Sequence, residues 1–313
     1  MHFTTPNMPL AFKSGIDKAL ALESKDTNDI SGILLGNNPK TRESFWEMLS
    51  YQSLGLAQPM NEGDYVQYDS IAQARNKEYT PIIWQTGELT SMQAKDQDIY
   101  SIVAGVTKRL RDSMTATRNY EAANVYNEGF SGSGVLGPDG KTLFATDHPL
   151  GTGALSSTAS NRGDGTNDLT LDGLNLETAM TQLFSQVNER GIPMTTGTLP
   201  SVYLFVPPAL FPTAKRVVES QGLQGTSDND INAMRSFVDV VPSTWLGFGV
   251  SGQTDAWFLR AKDNGAHGLF MLDRRPPQYF TDFDIDILSS KVVVVSEFLA
   301  SHYDWRYAWG SNP

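Results

Sequence analysis

Between residues 91 and 128 the apolar side chains fall at steps of three and four: Ile99, Val103, Val106, Leu110 and Met114, with Thr117 continuing the line and Ile102 and Tyr120 beside it. That spacing traces one stripe along one face of an α-helix. Thr90 and Gln93 have capping-box spacing at the front, Asp96 and Asp98 suit the positive end of the helix dipole, and Gly129 is placed for a left-handed terminating turn. The pattern predicts a single helix over 91–128, about 55 Å long at ~1.5 Å per residue, where an average globular helix has ~11–12 residues. A rod with only one apolar stripe needs something extended lying along it. Gly105, which costs about 1 kcal/mol relative to Ala inside a helix, is expected to mark a bend or a close approach.

The segments before this helix read as attachments. Residues 1–40 mix short helical hints with breaks at Gly32 and Gly36–Asn37–Asn38–Pro39, which predicts an arm leaning on something else. Residues 42–56 predict a short helix with Phe45, Met48, Leu49 and Leu56 roughly on one side. Over 60–90, Tyr65–Val66–Gln67–Tyr68 alternates, Ala72 to Glu78 is a polar tip, and Tyr79 to Thr86 returns with Ile82, Ile83 and Trp84. This predicts a long hairpin with Pro81 marking an edge strand. A two-stranded ribbon is marginal in water, so another subunit is expected to support it.

After the long helix, Asp139–Gly140 between Val135–Leu136 and Leu143–Phe144–Ala145 signals a hairpin. Asn175 caps a second helix carrying Leu176, Ala179, Met180, Leu183, Phe184 and Val187, ended by Gly191 and Pro193. Residues 200–272 predict a compact α/β unit: strands at 203–206, 237–241, 256–261 and 268–272, and a helix from Pro208 through Val218. Phe283, Ile285 and Ile287 alternate with Asp282, Asp284 and Asp286, and Val292–Val295 reads as a fully buried strand.

A length of 313 residues suffices for about two domains. Thirty-five acidic against 24 basic residues, a net charge of −11, argue against a dedicated nucleic-acid binder, which would carry a basic face. With no cysteine, disulfides and thiolate metal sites are excluded. The first fifteen residues lack an apolar signal core and no run approaches a membrane span, so a soluble protein made in a cytoplasm is expected.

Candidate chemistry is sparse. Gly132–Ser133–Gly134–Val135–Leu136–Gly137 matches a dinucleotide fingerprint, but it follows a helix and precedes a turn, whereas the fingerprint needs a strand before and a helix after. Asp147–His148–Pro149 invites acid–base chemistry without a recognisable nucleophile, so a structural turn is the better reading. Asp282, Asp284 and Asp286 share a strand face that spreads ligands roughly 6.6–6.8 Å apart, unsuited to a cation. Arg162–Gly163–Asp164, an adhesion tripeptide elsewhere, sits in a loop where such residues are common. Lys108, Arg109 and Arg111 read as a solvated face on which Asp112 pairs with Lys108. No cofactor or metal site is expected, and no enzyme constellation survives.

The order of arm, long hairpin, long helix, α/β unit and returning strands resembles the tailed-phage major capsid proteins of HK97-type fold. Leu143–Phe144–Ala145–Thr146–Asp147–His148–Pro149 is similar to the L-F-x-x-x-H-P signature of Mu-like major head subunits, as are Asp304–Trp305–Arg306 and Trp309–Gly310 near the end. The resemblance implies an α+β fold: an N-terminal arm (1–57), an extended E-loop hairpin (58–90), a P domain (91–197) with spine helix 91–128, an A domain (198–270), and P-domain strands returning over 271–313. It implies intersubunit contacts at Arg75, Asn76, Lys77, Glu78 and Trp84, with the spine packed through Ile99, Val103, Val106, Leu110 and Met114. The implied function is an icosahedral shell of self-assembled pentamers and hexamers in the virion. It would be built in the host bacterial cytoplasm with scaffold and portal proteins, and would enclose double-stranded DNA without reading its sequence. Two alternatives stand beside it: an encapsulin-type cellular compartment, and an enzyme using Asp147 and His148.

Overall fold

A computed structural model describes residues 29–51, 53–63, 65–66, 68–69, 73–96, 105–131, 135–151, 157–194, 199–222, 231–249, 254–262 and 268–313. Two sheets organise them. The first is antiparallel, in the order β3 (Ile82–Ser91), β10 (Ser289–His302), β9 (Leu269–Asp284). Along β3 the side chains of Trp84, Thr86, Glu88 and Thr90 turn inward, while Ile83, Gln85 and Leu89 are exposed. Opposite them, Val292, Val294 and Ser296 of β10 are buried and Val293 and Val295 are only half-buried, so that strand alternates and is not buried on both faces.

The inward face carries helix α3 (Val106–Asn127), 22 residues and about 33 Å long. Val106, Leu110 and Met114 are buried in one core with Val292, Val294 and Phe298. The expected helix over 91–128 is corrected at its front. Thr90 and Ser91 lie in β3, and Ser91 Oγ accepts from Ala94 N (3.2 Å), capping a five-residue helix α2 (Met92–Asp96). Gly105 has φ −81° at the described start of α3, and residues 97–104 on its other side lie outside the described residues. Ile99, Ile102 and Val103 lie outside the described residues. Gly129 does not take a left-handed turn, since its φ is not positive. It is glycine because a Cβ there would lie 2.7 Å from the Phe144 ring.

The second sheet has the order β11 (Ala308–Ser311), β8 (Trp257–Ala261), β6 (Val202–Val206), β7 (Val238–Pro242), with β6 and β7 parallel. Period-two alternation gives it two apolar faces. Val202, Leu204, Val206, Trp257 and Leu259 pack against α4 (Gly173–Phe184) and α5 (Phe211–Glu219). Tyr203, Phe205 and Phe258 face the other way, onto Tyr126 near the end of α3 and onto Phe144. The spine therefore belongs to both sheets. Asp172 caps α4 by accepting from Asn175 N (2.8 Å), three residues earlier than expected, and the helix stops at Phe184, before Val187. Strand 268–272 does not belong to this sheet; it opens the 16-residue β9. Conversely β11 joins this sheet rather than the first.

The largest departure lies upstream. Residues 46–51 form strand β1 (Trp46–Tyr51), not a helix, and pair antiparallel with β2 (Gln73–Tyr79). The apolar positions 45, 48 and 49 fit a helix face, but as a strand the segment pairs with β2 and seats Trp46 on Phe270, which a helix would not do. The hairpin is thus β1–β2 with its turn in 52–72, and residues 82–91 pair with β10 instead. Asp139–Gly140 makes a turn, with Gly137 N donating to Lys141 O (2.7 Å), but no strands flank it. Short strands β4 (His148–Pro149) and β5 (Thr158–Ala159) follow. Among the described residues no helix is long and apolar enough to cross a membrane.

Candidate functional site

The β1–β2 ribbon is rooted at one end. Trp46 and Tyr79 pack on Phe270 of β9, each ring about edge-on at a centroid distance of 5.0 Å. Away from that root, Leu49 and Tyr51 are exposed, as are Leu54, Leu56, Met60, Tyr65, Val66 and Tyr68 in the turn. So much apolar surface on an extended element is the mark of an interaction site.

Beneath the ribbon lies a buried polar centre. Asp139, in the turn the sequence marked as a hairpin, accepts from His148 Nδ1 at 2.6 Å; the His148 ring is fully buried and stacks on Trp305 at 4.2 Å. His148 Nε2 lies 3.2 Å from Asn161 Oδ1, which also accepts from Ala145 N. Asn161 Nδ2 donates to the carbonyls of Leu143, Trp305 and Ala308. Burial alone would raise the Asp139 carboxyl, yet His148's hydrogen bond and charge, Lys141 N and the charge of Arg75 hold it below the ordinary range. His302 is fully buried with neither ring nitrogen bonded, and burial followed by the charge of Lys77 pushes its pKa down to about 3. It is therefore a neutral ring at ordinary pH.

The expected contact residues fall as follows. Arg75 donates to Pro149 O and Lys77 to Leu136 O, both within the chain. Asn76 faces the opposite side and donates to Glu47 (2.5 Å); Glu78 is exposed. Trp84 stacks on Phe298 at 5.6 Å and donates to its carbonyl (3.3 Å), holding β3 on β10. Asp147 and His148 do not converge: Asp147 is exposed and pairs with Lys141, while His148 turns inward to Asp139. A histidine with no exposed atom meets no substrate.

The remaining motifs are structural. Arg162 forks onto Asp168 and lies over Phe130, Gly163 has φ +52° and a Cβ on it would collide with Asn167 O, and Asp164 accepts from Thr166 N and Asn167 N. Asp284 ends β9 and pairs with Lys291 (2.6 Å). Arg109 pairs with Glu88, and Asp112 with Arg111 (3.5 Å) rather than with Lys108. Residues 132–134 of the glycine motif lie outside the described residues. No local pattern marks His302 or the role of Tyr79, whose hydroxyl donates to His302 O (2.7 Å).

A family model described as phage capsid protein matches residues 90–309. No curated protein matches at the sequence level. Among solved structures, the chain resembles the capsid of a native GTA particle, with TM-score 0.57 and 10% identity over 91% of this chain and 90% of that one. It resembles the capsid of cyanophage P-SCSP1u with TM-score 0.56 and 10% identity, over 88% and 85%. It resembles the bacteriophage JBD30 capsid with TM-score 0.53 and 16% identity, over 78% of this chain and all of that one.

Proposed function

Because the chain belongs to the phage capsid protein family and is a major capsid protein of HK97-type fold, we propose that it assembles, as pentamers and hexamers of itself, into an icosahedral shell enclosing double-stranded DNA. The observation that carries this reading is the β1–β2 ribbon: held to its own body through Arg75, Lys77 and Tyr79, it exposes Leu49, Tyr51, Leu54, Leu56, Met60 and Tyr65, and two strands alone are marginal in water. Laid across a neighbouring subunit it gains the support it lacks, and the same modest contact repeated around a closed shell gives large collective stability.

In this reading β3, β9, β10 and α3 form the P domain, the four-stranded sheet with α4 and α5 forms the A domain, and β1–β2 is the E-loop. The excess of acidic residues suits a wall that confines DNA without adhering to it. Assembly in a bacterial cytoplasm, with scaffold and portal proteins as partners, follows from the same resemblance. The phage capsid match favours a virion over a cellular compartment, and the burial of His148 speaks against an enzyme at Asp147 and His148.

Electron microscopy of the purified chain tests the proposal. Closed particles tens of nanometres across are expected, and replacing residues 54–69 by a short Gly-Ser linker should abolish them while the subunit keeps its cooperative unfolding. A small monodisperse oligomer under every assembly condition, or intact particles from the deletion, would overturn it.

A further inference from the structure

Along β2 the side chains alternate, so Arg75, Lys77 and Tyr79 share the face turned to the body while Asn76 and Glu78 face away. All three inward side chains donate to main-chain carbonyls: Arg75 to Pro149, Lys77 to Leu136, and Tyr79 to His302. The acceptors lie on three separate segments of the body, and a carbonyl in the backbone cannot rotate away as a side chain can. We propose that Arg75, Lys77 and Tyr79 are positioning residues, a three-point clamp that fixes the direction in which the β1–β2 ribbon leaves its own subunit and therefore the angle at which it meets the next.

Three features support the clamp. The acceptor Pro149 follows a side chain held on both ring nitrogens, because His148 bonds Asp139 and Asn161, and Asn161 donates to the carbonyls of Trp305 and Ala308. The Asp139 carboxylate attracts Arg75 and Lys77, offsetting part of the burial that lowers the Lys77 ammonium's pKa. The adjacent His302 ring is neutral and does not repel Lys77. Farther out, Asp69 of the ribbon's turn pairs with Arg190 (2.9 Å), an exposed contact that salt screens readily. The root therefore dominates the ribbon's direction. The clamp runs the length of the paired strands, because Tyr79, Lys77 and Arg75 stand opposite Trp46, Met48 and Ser50 of β1, so a change in it re-aims the whole pairing.

The inference rests on the shell reading, so its test has two separate readouts on the full chain. Replacing Arg75→Met and Lys77→Met together keeps the apolar stems and removes the donors. In the unassembled subunit, amide exchange over residues 74–78 should rise at least tenfold while exchange in α3 stays unchanged. In assembly, the double variant should give particles whose diameter shifts or spreads, and Lys77→Arg should restore the wild-type diameter. Unchanged ribbon exchange overturns the clamp, whatever the shell does. Faster exchange with an unchanged diameter overturns its control of the angle. A wild-type chain that forms no particles overturns the shell reading itself, while the exchange result still decides the clamp.

Discussion

Arg118, midway along α3, grips Asp273 of β9 with two guanidinium nitrogens at 2.6 and 2.9 Å. The same side chain reaches Ser31 Oγ (3.2 Å) and lies over the Phe298 ring at 5.5 Å, so one residue joins the spine, the sheet and the short helix α1 (Ser31–Leu35). Both partners are mostly buried, and hydrogen bonds to charged groups of this kind contribute about 1.5–3 kcal/mol. Asp273→Asn should lower stability by that amount, read as a lower urea midpoint at constant slope. An unchanged midpoint would show that the pair contributes no more than a surface ion pair.

Phe144 sits between two glycines. A Cβ on Gly129 would lie 2.7 Å from its ring and one on Gly310 would lie 2.9 Å from three ring carbons, so each must be glycine for the ring to fill the space between α3 and β11. Gly310→Ala should cost about 1–3 kcal/mol through overpacking. Adding Phe144→Leu should cost less in that background than in the wild type, because the smaller side chain relieves the clash. A double-mutant cycle with no coupling would contradict the packing account.

His302 makes stability depend on pH with a definite sign. The unfolded chain protonates this ring near pH 6.5, whereas the fold resists until about 3. Its contribution is complete above pH 6.5 and is lost as pH falls towards 3, by up to about 1.4 kcal/mol per unit. Lys77 and His148 oppose a proton there and Asp139 favours one. Asp139, held below the ordinary carboxylate range, adds a loss in the same direction only at lower pH. Asp304, whose carboxyl burial raises, works against it. His302→Leu should flatten the slope of unfolding free energy between pH 6.5 and 3.5 by about one proton, in denaturant titrations at each pH. An identical slope in the variant would remove His302 from the account, whatever the absolute stability.

Strands β6, β7 and β8 and helices α4 and α5 are legible in the sequence because their apolar period matches their length, whereas β11 is not. The ribbon is not legible in the sequence because Phe45, Met48 and Leu49 satisfy a helix face, and β1's partner begins 22 residues after β1 ends. Strand β9 was read as two pieces because Pro276 and Pro277 interrupt it; the structure carries them through a register shift opposite Val295 to Glu297, where Ser296 Oγ donates to Arg275 O. Of the polar centre, His148 was visible beside Asp147, but its partner Asp139 lies nine residues back across a turn. No local pattern points to His302, whose neutrality is set by neighbours distant in sequence.

The late position of β11 carries a consequence for timing. Strands β6 and β8 leave the ribosome well before Trp309 exists to cover the ring of Trp257, which it meets at 4.6 Å. At ~5–20 residues per second the gap between β8 and β11 lasts roughly 2–10 seconds. Throughout that interval the sheet has an open edge and the subunit is unfinished. The sheet edge at β8 and the ring of Trp257 are therefore completed only once residues 308–311 have been made.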